Sequence, residues 1–74
     1  MRAFVDRDGQ RWDVVLGRES WGGLVVLFVP AAPAAPVRQA IFPAEGYDIA
    51  AVALDELPDE RLQQLLDESQ PKPE

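Results

Sequence analysis

The run Leu24-Val-Val-Leu-Phe-Val29 limits what this chain can become more than any other stretch of it. Six apolar residues fall well short of the roughly 20 that a membrane helix needs. Their length and their three valines favour a strand over a helix. A strand apolar on both faces belongs at the centre of a sheet, covered on both sides. Chain breakers bracket it. Gly22 and Gly23 precede it, and Pro30-Ala-Ala-Pro-Ala-Ala-Pro36 follows, a stretch that cannot form a helix interior or a central strand.

Alternating patterns lie on either side. Arg2 to Val5 and Gln10 to Leu16 flank Asp6-Arg7-Asp8-Gly9, and Asp-Gly is a strong hairpin signal because glycine tolerates the positive φ of a tight turn. Trp12, Val14 and Leu16 then alternate with Arg11, Asp13 and Val15, the period of a half-buried strand. After the prolines, Val37, Gln39 and Ile41 alternate with Arg38, Ala40 and Phe42 until Pro43 ends the pattern. Four strands with short connections predict an antiparallel meander.

Beyond Pro43 the period lengthens. Ile49, Val52, Ala53 and Leu57 fall on one helix face, with Tyr47, Ala50 and Leu54 beside them. Leu57-Pro-Asp-Glu-Arg-Leu62 reads as a second helix start: Leu57 can staple onto Leu62, and Asp59 and Glu60 suit the positive end of the helix dipole. Leu62, Leu65 and Leu66 supply its buried stripe. The expected fold is therefore α+β, a four-stranded antiparallel sheet followed by one or two C-terminal helices packed on one face. Residues 1–69 form the single domain and 70–74 a flexible tail. A chain of 74 residues with no cysteine must rest on a small apolar core, with self-association through a sheet edge or a helix face as further support.

The chain has neither cysteine nor histidine. That removes disulfides, thiolate nucleophiles, zinc and haem ligation and the imidazole base. Only carboxylates and carbonyls remain for a metal, which limits the choice to magnesium or calcium. No cofactor or metal is expected. Residues 1–42 nearly balance their charges, whereas residues 43–74 hold nine acids against Arg61 and Lys72. An acidic half repels nucleic acid and anionic lipid. The excess of arginine over lysine, together with frequent alanine, fits a GC-rich bacterial genome. The chain opens on a strand-like pattern rather than a basic and then apolar leader, so cytoplasmic residence without membrane association is expected.

Several motifs come close to a chemistry. Gly17-Arg-Glu-Ser-Trp-Gly-Gly-Leu24 has the glycine spacing of a phosphate-binding loop, but Gly23 and Leu24 stand where lysine and a hydroxyl are needed, and a strand follows instead of a helix. The same stretch fails as a nucleophile elbow, because Arg18 replaces the first glycine and Ser20 has no histidine to activate it. What remains is a glycine-bounded turn carrying Trp21, a residue type that anchors partners as readily as it fills cores. Aligning Asp6-x-Asp8-Gly9 with a calcium loop puts Phe4 and Val15 at ligand positions, so it is a hairpin turn. Pro33-Ala-Ala-Pro36-Val-Arg38 has the Pro-x-x-Pro-x-Arg form read on a polyproline II helix, although Arg38 starts the next strand. Arg2, Arg7, Arg11, Arg18 and Arg38, with Trp12 and Trp21, would suit a single-stranded nucleic acid, but Asp6, Asp8, Asp13 and Glu19 nearly cancel them.

The pattern Phe4-x-Asp6-x-x-Gly9-x-x-Trp12-x-Val14, with Leu62-x-x-Leu65-Leu66 near the end, resembles short bacterial proteins of uncharacterised role. The resemblance supports the fold and implies no activity. The functional expectation is a non-catalytic protein-interaction or regulatory module with an unidentified protein partner or a second copy of itself. Its contact residues are sought among Trp21 and Arg18, Pro33, Pro36 and Arg38, and Asp59 and Glu60. Three alternatives compete with it. One is an enzyme, which would have to work with carboxylates, Tyr47 or arginines alone and would need two converging acids, one of raised pKa. Another is an acidic inhibitor that imitates nucleic acid towards a basic protein, and the third is a sheet-face nucleic-acid binder.

Overall fold

A computed structural model describes residues 2–19, 22–32 and 34–72 of the chain. Five strands follow one another in meander order, all antiparallel: β1 (Arg2–Val5), β2 (Arg11–Arg18), β3 (Leu24–Pro30), β4 (Arg38–Ile41) and β5 (Gln70–Pro71). Helices α1 (Tyr47–Glu56) and α2 (Asp59–Glu68) lie between β4 and β5 in sequence. The α+β meander read from the sequence is present, with one strand more than expected.

The first two hairpins are closed by the same device. In each, Gly9 or Gly22 donates its N–H to the carbonyl three residues back, and the residue opening the turn, Asp6 or Glu19, donates to the carbonyl four residues ahead. Gly9 and Gly22 take φ values of +82° and +92°, open to glycine at little cost. A tight turn ending on a positive-φ glycine matches the right-handed twist of the strands it joins. At the first turn the Asp6 carboxylate also accepts the N–H groups of Asp8 and Gln10 and the indole N–H of Trp12.

Alternate residues of the strands point to opposite faces, and only one face meets the helices. Phe4, Trp12, Val14, Leu16, Leu24, Val26, Phe28 and Ala40 join Ala50, Leu54, Leu62, Leu65 and Leu66 in one core. Phe28 lies at its centre, its ring 6.5 Å from Phe4 and 6.3 Å, edge-on, from Trp12. The Phe-x-Asp-x-x-Gly-x-x-Trp-x-Val pattern is thus a turn that places two aromatic rings against a third.

Three arginines tie the sheet to the helices. The Arg2 guanidinium donates to the Leu54 carbonyl at 3.0 Å, to the Leu57 carbonyl and to Asp59 Oδ1 at 2.9 Å. It thereby caps the carbonyl end of α1, which has no basic residue of its own in its last turn. Arg7 pairs with Asp67 at 2.8 Å, and its backbone N–H donates to Gln63. Arg38 donates to the hydroxyl and carbonyl of Ser69.

The structure corrects three expectations. Residues 70–72 are not a loose tail: Gln70 and Pro71 pair with Gln39 and Arg38, and the Lys72 N–H donates to the Val37 carbonyl at 2.8 Å. The buried face of α1 is Ala50 and Leu54, while Ile49 and Val52 face outward, because small Ala50 lets the helix approach the sheet closely. Finally, among the described residues β3 is covered on one side only. The molecule is 19 Å across its thinnest dimension, and a third layer would add about 10 Å. No described helix is long and apolar enough to cross a membrane.

Candidate interaction surface

The uncovered face of the sheet is built from the strand residues that the core does not use. The strand register sets Val15 beside Leu27 and Leu27 beside Gln39, then Gly17 beside Val25 and Val25 beside Ile41. Asp13 stands beside Val29, and Val5 beside Arg11. Apolar residues fill the middle of this face and charged ones lie towards its ends.

No described helix shelters these residues, yet Val25 is only 3% exposed. A Cβ on Gly17 would lie 3.1 Å from Leu27 Cδ1 and 3.4 Å from Val25 Cγ2, so both side chains lean over the glycine. Ile41, at the rim, is 66% exposed. Beside it a shallow concavity of about 440 Å³ is bordered by Glu19, Val25, Gln39, Ile41, Glu68 and Gln70. Gln39 Oε1 is buried in this region, and no described donor reaches it. A buried carbonyl left unpaired costs stability, about 1–3 kcal/mol on typical scales.

The residues nominated from sequence do not converge on this face. Trp21 and Pro33 lie outside the described residues. Arg18 stacks on the Tyr47 ring at 5.6 Å, beside a concavity of about 250 Å³ that it shares with Gly22 and Gly23. Arg38 is half-buried and committed to Ser69, and Asp59 to Arg2. Pro36 and Glu60 are exposed, and Glu60 borders a groove with Phe4 and Gln63 on the helical side. The open face escaped notice because a strand apolar on both sides reads as fully covered. Its one sequence signal was Val15, an apolar residue in the polar phase of β2.

The electrostatics are those of a structural frame. Burial raises the Asp6 pKa, but the Trp12 hydrogen bond, the Gln10 and Asp8 backbone N–H groups and the Arg7 charge outweigh it and hold the carboxyl below the usual value of 3.8. Hydrogen bonds from Arg7 and Gln63 likewise lower Asp67. Acid catalysis near neutral pH needs shifts the other way. Among the described residues, no three acidic side chains converge as a metal site requires. The chain matches no known family model, no curated protein and no solved structure.

Proposed function

We propose that this protein is a non-catalytic protein-interaction module, bacterial and cytoplasmic, whose contact surface is the open face of its sheet. The apolar row of half-buried Val15, Leu27 and Val29 with exposed Ile41, on the face that no described helix covers, carries the reading. A contiguous apolar surface is what a soluble domain otherwise avoids, and its usual use is to bind another macromolecule. The arginines that a nucleic-acid surface would need are spent elsewhere. Arg2, Arg7 and Arg38 bind the helical layer, Arg18 stacks on Tyr47, and Arg11 shares its face with Asp13. The acidic-mimic alternative is weakened in the same way, since Asp59 and Asp67 are paired with arginines.

Site-specific cross-linking in the native cell tests the reading. A photoreactive residue at position 41 should capture protein, whether another chain or a second copy, while one at position 52 on the outer side of α1 should not. Equal capture at both positions, or none at either, would refute it. So would turnover of a small molecule that persists in the Ile41→Asp variant.

A further inference from the structure

We propose that the open face binds a second copy of the same chain, face to face, about a two-fold axis that crosses the strands along Val15, Leu27 and Gln39. The inference rests on the reading of this face as a protein contact and commits it to one occupant.

The register supplies the argument. The open-face residues fall in rows across the sheet, and the middle row is Val15, Leu27, Gln39 and Gln70. Two residues along each strand in one direction lie Asp13 and Val29, with Arg11 beyond them. In that direction too, Lys72 stands just past β5, its N–H on the Val37 carbonyl. In the other direction lie Gly17, Val25 and Ile41, then Glu19, with Glu68 bordering the same concavity just before β5. The face is therefore apolar in the middle, basic at one end and acidic at the other, apart from Asp13.

A two-fold axis along the middle row turns each end onto the opposite end of the other copy, strand over like strand. Arg11 then lies over Glu19 of the second copy, and Lys72 over Glu68. Each contact occurs twice, as an isologous interface requires. Val29 falls over Val25, and Val15 and Leu27 meet their own counterparts. Asp13 falls over Gly17 of the second copy, where no side chain opposes it. The two Gln39 side chains meet at the axis, and turning each amide lets its N–H groups donate to the other's Oε1, the acceptor that no donor among the described residues reaches. Aligned sheet packing, with strands within about 30° of one another, has this geometry.

The area fits a weak dimer. Strands β1 to β4, of 4, 8, 7 and 4 residues, present about 360 Å² per copy at about 3.3 Å per residue and about 4.8 Å between strands, so the pair stays below the roughly 1,000 Å² where stable specific interfaces begin. Association should therefore depend on concentration, with the end charges setting the orientation.

Sedimentation equilibrium on the full chain, from low micromolar to millimolar concentration, tests the inference, with circular dichroism to confirm that each variant folds. The wild type should pass from monomer to dimer. Ile41→Asp, at an exposed position, should remain monomeric throughout, and Val52→Asp should behave as wild type. Arg11→Glu and Glu19→Arg should each weaken the dimer by about tenfold, and the double variant should recover to within about threefold of wild type, because the exchanged charges again face each other. A monomer at every concentration, a dimer that Ile41→Asp leaves intact, or a double variant no better than the singles would overturn it. If position 41 cross-links a different protein while the chain stays monomeric, self-association falls and the interaction reading stands. If position 41 captures nothing, both fall.

Discussion

Leu27 and Phe28 are neighbours on β3, yet they belong to different kinds of surface. Phe28 is fully buried between Phe4, Trp12 and the helices, whereas Leu27 lies over Gly17 on a face that no helix covers. One face of the sheet is apolar because it folds the protein. The other is apolar although no described helix covers it. Stability should therefore respond steeply to changes on the first face and weakly on the second, while association should respond in the reverse order.

Truncating the covered face should have the largest effect. Phe28→Ala removes the ring at the centre of the core and should cost about 3–5 kcal/mol, enough to leave so small a domain largely unfolded in urea titrations. Leu27→Ala, one residue along, should cost about 1 kcal/mol, since its side chain is already partly in water. Comparable losses at the two positions would erase the distinction between the faces. Next comes the clasp on the covered side: Arg2→Ala uncaps α1 and frees Asp59, and should lower stability by about 1–2 kcal/mol.

The pH response should be smaller. Asp6 and Asp67 ionise more readily in the folded chain than in the unfolded one. Their contribution is therefore complete above the unfolded carboxyl pKa of about 4 and is lost as pH falls through the lower folded values. The melting temperature should drop below about pH 4, and less steeply in Asp6→Asn. A drop confined to higher pH would contradict the hydrogen bonds assigned to these carboxylates. Smallest of all should be Gly17→Ala. The new methyl would press on Leu27 Cδ1 at 3.1 Å, but Leu27 can turn outward on the open face, so stability should change by less than about 1 kcal/mol. A larger loss would mean that Leu27 is held as firmly as a core residue.

The parts of the fold that were legible in the sequence are those written in local periodicity. Trp12, Val14 and Leu16 announced β2, Asp-Gly announced its turn, and Leu62, Leu65 and Leu66 announced α2. What stayed hidden depends on partners distant in the chain. Gln70 and Pro71 carry no strand pattern, and they pair because Arg38, 31 residues away from Ser69, holds the end of α2 beside β4. On α1 two apolar stripes of similar strength run side by side, and periodicity alone does not decide between Ile49 with Val52 and Ala50 with Leu54. The open face was hidden for a related reason. A strand apolar on both sides has the same composition whether a helix, a partner or only a neighbouring glycine lies against it.

The last strand has a further consequence. It spans two residues, and one is Pro71, which has no N–H to offer a further strand. Laid along the edge of β4, it ends the ladder on that side with a residue that cannot extend it. Growth into ribbons is disfavoured at this position, whereas the opposite edge, β1, pairs only with β2 among the described strands and stays open. Pro71 thus acts as a stop on the β5 side of the sheet.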